Sequence, residues 1–492
     1  MNARIVSFIE GGCRREDAQT TGVYPESINQ LGNGTIFLVD CGIEDRLCAV
    51  NCPDFSGEAF RAGGQDCVLV PLDHACAENL RRLLPFTAPS PVLREQRTIG
   101  LGDRLGIAAD GQIRALEGYD AFPVFAQQSI RELTLTGRSF YDVLDCASFA
   151  VFRNGFHRSF GADGDHLKTE GEVRLAIDCG YTMITLDCSE HIHGEAQNMS
   201  LAQLLEKGGL QPKLEERYLG KTFRVEEHEI TFGREELYEI HQIYGEAIDF
   251  ADKIYHAFIE GTNLNFELSI DETATPTTPA QHYYVARELM ERGVKLDTVA
   301  PRFCGEFQKG IDYIGDLEQY AAEFAVHAAI ARSFGYKISI HSGSDKFSVF
   351  PISGRLSRGV FHVKTAGTNW LEAMRVVAEE DPALYREIHC FALQHFEEAT
   401  HYYHVTTDLG RIPKINSLED WQLPELFQQP DARQLLHITY GLILTACRED
   451  GGTIFRDRLY GLWRSHREEY AQHLEEHIGK HLALLYSEIP EG

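Results

Sequence analysis

Ser159-Phe-Gly-Ala-Asp-Gly-Asp-His-Leu-Lys168 runs into a cluster of acidic, imidazole and basic side chains, and five later runs end the same way. They read Ile184-Thr-Leu-Asp-Cys-Ser-Glu-His191, Phe266-Glu-Leu-Ser-Ile-Asp-Glu272, Val299-Ala-Pro-Arg-Phe-Cys-Gly-Glu306, Ile338-Ser-Ile-His-Ser-Gly-Ser-Asp-Lys346 and Phe361-His-Val-Lys-Thr-Ala-Gly367. Short stretches rich in Val, Ile, Phe and Thr, closed by Gly or Pro, read as buried strands. Chemistry-bearing residues at the carboxyl end of strand after strand are what the active face of a (β/α)8 barrel requires. Two earlier runs, Thr98-Ile-Gly-Leu-Gly102 before Asp103-Arg104 and Phe122-Pro-Val-Phe-Ala126 before Gln127-Gln128-Ser129, bring the strands to eight, the number that closes a barrel.

Working outward, amphipathic patterns fill the gaps between strands. Glu235 to Phe258, Gln281 to Arg292 and Leu317 to Phe334 carry apolar residues at three- and four-residue intervals and read as helices. Strand, helix and strand in this order give parallel pairing. Residues 192 to 263 are long enough for an extra helix or a lid. Thr35-Ile-Phe-Leu-Val39 and Cys67-Val-Leu-Val-Pro71 are strands of a small α/β addition. Trp370 to Ala378, Asp431 to Cys447 and Asp457 to Tyr486 are helical in pattern. The predicted architecture is a TIM-type (β/α)8 barrel over 93–410, with an α/β amino-terminal domain over 1–92 and a helical carboxyl-terminal cap over 411–492.

The composition fits a soluble enzyme. Of 492 residues, 43% are hydrophobic and 24% charged, and the formal net charge of −28 argues against a nucleic-acid partner. No stretch approaches the roughly 18 apolar residues of a membrane span, and Met1-Asn-Ala-Arg-Ile-Val-Ser-Phe-Ile-Glu10 has no secretory leader pattern. The expected location is the cytoplasm, with the 12 cysteines reduced. Cys41, Cys48, Cys52, Cys67 and Cys76 crowd together but match no zinc spacing.

The densest candidate site is Gly164-Asp165-His166-Leu167-Lys168. Asp165 can serve as a general base, His166 as a metal ligand and Lys168 as an oxyanion holder, whereas a plain reading is a solvated turn. His341 follows Ile-Ser-Ile beside small residues that let a ligand approach. His166, His341 and one carboxylate form an open three-ligand metal site. Glu306 and Asp187 compete for the third place, with Glu306 preferred. Glu267 interrupts an apolar strand, and burial there would push its pKa upward, toward the range of a general acid or base. Arg302, Lys346 and Lys364 are cations suited to a substrate carboxylate. Asp103, Arg104, Gln128, Asp187 and Ser342 complete the expected substrate contacts. Gly100-Leu-Gly-Asp-Arg-Leu-Gly106 misplaces the third glycine of a dinucleotide loop and reads as a tight barrel turn.

Several stretches resemble the tagaturonate epimerase family. They are Gly102-Asp-Arg-Leu-Gly106, Asp163-Gly-Asp-His-Leu-Lys-Thr169, Thr185-Leu-Asp-Cys-Ser-Glu-His191, Phe266-Glu-Leu-Ser-Ile-Asp-Glu-Thr273, Ala300-Pro-Arg-Phe303, Gly310-Ile-Asp-Tyr-Ile-Gly-Asp316, His341-Ser-Gly-Ser-Asp-Lys-Phe347 and Phe361-His-Val-Lys-Thr-Ala-Gly-Thr368. The resemblance runs in order from about 98 to about 410, and residues 1 to 90 contribute little to it. It implies a divalent-metal enzyme (Mn, Ni, Co or Zn) interconverting D-tagaturonate and D-fructuronate, with fructose–tagatose interconversion as a side activity. The inverted carbon lies β to the ketone, so its own C–H is not acidified and enolisation alone cannot invert it. Retro-aldol cleavage can, with Asp165 and Glu267 as the acid–base pair; hydride transfer is the rival route. A metal-dependent sugar-acid aldolase or isomerase would use the same barrel and carboxylates, and a non-catalytic sugar-acid-binding protein would need no paired carboxylates. The expected partner is a small sugar acid, and the reading allows a homo-oligomer.

Overall fold

The computed structural model describes residues 3–490. Met1, Asn2, Glu491 and Gly492, at the ends of the first and last predicted segments, lie outside the described residues. Eight parallel strands close into a barrel: β1 Arg97–Leu101, β2 Phe122–Ser129, β3 Gly161–Leu167, β4 Met183–Asp187, β5 Asn265–Ile270, β6 Thr298–Pro301, β7 Lys337–Ile340 and β8 Phe361–Thr365. Each pairs with its neighbours in sequence, and β8 returns to β1 with Phe361 opposite Arg97. The predicted helices between strands are present, as Arg234–Ile254, Pro279–Glu291 and Leu317–Phe334.

Alternation along the strands sorts the side chains into two environments. Ile99, Ile184, Leu186, Leu268, Ile338 and Val363 face the helices and join one continuous apolar core. The inward positions are polar. Thr98, Asp163, Thr185, Glu267, Thr298, Lys337, His362 and Lys364 are all buried. Barrel interiors are ordinarily filled by layers of branched apolar residues, so this polar column must satisfy itself by hydrogen bonds. Most of it does so, from the floor upward. Lys337 donates to the carbonyl of Glu95 and to Thr98, Thr98 meets His362 Nδ1 at 2.9 Å, and Thr298 donates to Glu267 at 2.6 Å.

Ahead of the barrel stands a five-stranded antiparallel sheet in the order Asn29–Leu31, Gly34–Asp40, Asp45–Val50, Gln65–Pro71, Glu58–Ala62. Both its faces are covered. Phe37 and Val39 pack with Ile5, Phe8 and Ile9 of the helix Ala3–Glu10. Ile36 and Leu38 pack with Leu80 and with Phe149 and Phe152 of the helix Phe140–Asn154. At the other end of the chain, the helix Arg467–Tyr486 lies on Ala109–Ala115, Phe350–Leu356 and Gly367–Glu380. The predicted Asp457 to Tyr486 helix is broken at His466. Asp45 ties the two additions together: Arg153, Arg464 and Arg467 converge on its carboxylate at 3.0–3.1 Å. No described helix is long and apolar enough to cross a membrane, and all 12 cysteines are free thiols.

Candidate active site

The carboxyl ends of the barrel strands open into a cavity of about 310 Å3, lined among others by Asp165, His166, Asp271, His341 and Lys364. Two irregularities in the strands build it. Along β3 the pairing with β4 runs Gly164↔Ile184 and then Leu167↔Leu186, so β3 carries one residue too many. His166 absorbs it with φ of 55°. A bulge of this kind re-aims side chains, and here Asp165 and His166, neighbours in sequence, both line the cavity. On β2 a second bulge separates Val124 from Ala126. Counting inward positions from Val124 without it selects Gln128; with it, Gln127 and Ser129 line the cavity. Gln128, an expected substrate contact, is fully buried outside the cavity, and its neighbour Gln127 is the glutamine that lines it. The Gln127 amide crosses toward β1, where a Cβ on Gly100 would sit 1.7 Å from its Oε1.

Two histidines converge on one carboxylate. His166 Nδ1 meets Asp165 at 2.8 Å and His341 Nε2 meets Glu267 at 2.8 Å. The remaining nitrogens, His166 Nε2 and His341 Nδ1, face Asp271 Oδ1 at 4.0 and 3.3 Å. Ser269 donates a hydrogen bond to the same Asp271 carboxylate. A carboxylate on the far nitrogen is the usual support for a metal-ligating imidazole, fixing tautomer and ring direction. The donor set therefore fits a divalent cation held by His166, His341 and Asp271, an open two-histidine, one-carboxylate arrangement. The electrostatics agree. Burial alone would lower both imidazoles, yet Asp165 raises His166 to about 10 and Asp271 with Glu267 raises His341 to about 9. A field that strongly favours positive charge on two facing rings favours a cation between them.

Below this triad, Lys364 is buried among three carboxylates: Asp163 at 2.7 Å, Asp165 at 2.8 Å and Glu267 at 2.7 Å. Burial pushes Glu267 up, but Lys364 and His341 overcome it and hold the carboxyl well below its ordinary range. The upward shift expected for Glu267 is thus reversed. It falls instead on Asp163, which burial raises to about 7 despite Lys364. Asp165 is likewise held low, by His166 and Lys364 against burial.

The site's relatives bear on its use. The family model of tagaturonate epimerase matches residues 24–485. A tagaturonate/fructuronate epimerase of Thermotoga maritima is 41% identical over 434 residues, 86% of this chain and 88% of the relative. The chain belongs to the tagaturonate epimerase family. Native and glycerol-complexed crystal structures of fructuronate-tagaturonate epimerase UxaE from Cohnella laeviribosi superpose with TM-scores of 0.91 at 48% identity, covering 94% of this chain and 96% of theirs. The family match takes in most of the amino-terminal sheet and the carboxyl-terminal helices, so it extends well beyond 98–410.

Within this family member the other expected residues take varied places. Arg302 and Ser342 line the cavity, Ser342 with φ of 50°. Glu306 lines it too, but its carboxylate stands 4.0 Å from Arg302 and is not grouped with the imidazoles; Asp271 takes the place expected for it. Asp187 is buried, caps Ser189 N–H and faces Lys168 at 3.4 Å; with His166 and Glu272 it forms an overlapping second group. Asp103 is spent on the backbone N–H groups of Leu105, Gly106 and Ala108. Arg104 is buried against Glu132 at 2.9 Å and over the Tyr440 ring at 3.9 Å. Lys346 donates to the carbonyls of Gln308, Ile311 and Ser344 and is scaffolding rather than a substrate contact. Among the described residues none of 192–263 lines the cavity. Asp163, Gln127, Asp271 and Lys309 escaped the sequence reading. Period-two counting back from Asp165 reaches Asp163, and Asp271 stands at the end of the quoted β5 run.

A third metal-like group, Asp345, His477 and His481, lies outside the cavity. Arg433 sits 2.6 Å from Asp345, Glu372 lies 3.0 Å from His477, and His481 Nε2 accepts the Asp345 N–H. These partners make it a charge network fastening the last helix to the barrel.

Proposed function

We propose that this protein interconverts D-tagaturonate and D-fructuronate in the cytoplasm, using a divalent cation (Mn, Ni, Co or Zn) held by His166, His341 and Asp271. The observation that carries this is the convergence of two carboxylate-supported imidazoles on Asp271 within the barrel mouth of a tagaturonate epimerase family member. A bound cation supplies Lewis acidity, easing negative charge on a ketone or hydroxyl oxygen of the substrate.

The chain's own groups supply the rest. Asp165 and Glu267 hold the two imidazoles rather than act as free bases, since each is hydrogen-bonded to a ring nitrogen and held low by Lys364. Glu272 lines the cavity beside Asp271, and its nearest cations, Arg131 and Lys168, stand off at 3.7 and 3.8 Å. Its carboxylate accepts no hydrogen bond among the described residues and can take the proton of the substrate hydroxyl and return it after the neighbouring C–C bond has broken and re-formed on the other face. Retro-aldol chemistry needs that one proton to travel and no external redox partner. The barrel that carries this chemistry is taken to span 93–410, between an amino-terminal domain over 1–92 and a carboxyl-terminal cap over 411–492.

The test is turnover of D-tagaturonate followed by carbon NMR, on chelator-stripped enzyme reconstituted with each metal. Fructuronate appearing only with metal supports the reading. Triose fragments that accumulate, or no product with any metal, would overturn it.

A further inference from the structure

The metal triad and Lys364 account for one wall of the cavity. The opposite chemistry stands on the segment after β6, where Lys309 lines the cavity and donates from Nζ to Ser342 Oγ at 3.1 Å. Among the described residues no carboxylate lies within ion-pair distance of Lys309. Burial first and Arg131, a second cation lining the cavity, next hold the lysine below its ordinary pKa, against the opposing charges of Glu132 and Glu272. Arg131 is itself only loosely countered, by Glu272 at 3.7 Å. Two cations lining one cavity in a chain of net charge −28 are a local reversal of sign, the arrangement that concentrates an anion.

The placement is built. Lys346 grips the carbonyls on either side of Lys309, at Gln308 and Ile311. Gln434 donates to the carbonyl of Lys309 itself, and Arg433 to that of Gly310. Ser342, which receives the ammonium, adopts a left-handed backbone that a serine enters only when its surroundings require it. Beside it the helix Gly367–Glu380 begins at Ala366, which has no side chain to cap it, and Ala366 and Gly367 both line the cavity. The positive end of that helix adds to the same field.

We propose that Lys309, backed by Arg131, anchors the carboxylate of the six-carbon sugar acid and so makes the site select a uronate over a neutral ketohexose. This rests on the epimerase reading above. Arg302, also a cavity cation and paired no more tightly, with Glu306 at 4.0 Å, is the rival anchor.

The test compares the metal-loaded wild type with Lys309→Met, Lys309→Arg and Arg302→Met. Calorimetry measures binding of D-gluconate, a six-carbon acid without a ketone, and kinetics measures KM and kcat for D-tagaturonate. Lys309→Met should weaken gluconate binding and raise the uronate KM by about tenfold or more, with kcat changed far less. Lys309→Arg should keep most of both. The proposal is overturned if wild type does not bind gluconate, if Lys309→Met binds it as wild type does, if Lys309→Arg loses as much as Lys309→Met, or if Arg302→Met alone carries the loss. Absence of turnover in wild type would sink the epimerase reading, while the gluconate comparison would still judge the anchor.

Discussion

Glu267 accepts a hydrogen bond from Nε2 of His341 at 2.8 Å while the other nitrogen of the same ring faces Asp271. The carboxylate therefore reaches the cavity through the imidazole and through Lys364. Burial, a lysine and a histidine settle its charge, and its task is to aim His341.

Replacing Glu267 by Gln separates two roles. A general base would lose turnover with metal content intact. The geometry predicts instead that Glu267→Gln weakens metal affinity about 10- to 100-fold, with activity partly recovered at saturating Mn2+. Metal titration monitored by turnover, beside metal analysis of the dialysed protein, reads the difference.

Asp271 and Glu306 make a second contrast. Asp271→Ala should leave the protein unable to retain stoichiometric metal after dialysis, because the two imidazoles then share no carboxylate. Glu306→Ala should retain it. Metal analysis of both variants checks this, and metal loss in Glu306→Ala alone would restore the sequence-based choice.

Lys346 is expected to matter through the segment it holds. Lys346→Met strips three carbonyls of a donor, costing about 1–3 kcal/mol in all if water replaces part of what is lost. Thermal unfolding should fall by about 1–3 °C. The uronate KM should rise with it, since Lys309 sits between two of those carbonyls.

Acid should loosen the join between the two additions. Burial pushes Asp45 up, but Arg153 and Arg467 outweigh it and bring it from 3.8 to about 2. A carboxyl depressed on folding stabilises fully above its unfolded pKa and loses that contribution as pH falls through the folded one. The window is pH 4 to 2, and the contribution about 2 kcal/mol. Urea unfolding of wild type should weaken across that window by this amount more than Asp45→Asn does. Parallel pH profiles would remove Asp45 from the account.

The barrel was legible because eight apolar runs each ended in chemistry, and because period two and period 3.6 alternate cleanly along the chain. His166 and His341 were legible for the same reason. Gln127 was not, since a bulge between Val124 and Ala126 leaves no mark in a residue pattern that reads smoothly either way. Asp271 was passed over for Glu306 because both follow strands, and which carboxylate meets an imidazole is decided by where the loop turns. The direction of the Glu267 shift failed for a related reason: burial can be read from one strand, but the lysine that opposes it comes from β8, 97 positions later. Lys309 lies outside any strand and is placed by Gln434 and Arg433, contacts of long range that local pattern does not carry.

The column of hydroxyls, carboxylates and amines through the barrel axis sets a rule for how this chain can vary. An aliphatic interior tolerates exchange of one branched residue for another, layer by layer. Here most polar inward positions are the donor or acceptor of a neighbour on another strand, as Thr185 is for both Asp163 and Glu267. A lone change therefore strands a partner on another strand, and viable drift must come in matched sets. Redesign of this enzyme toward new sugars is better aimed at the rim segments than at the shaft.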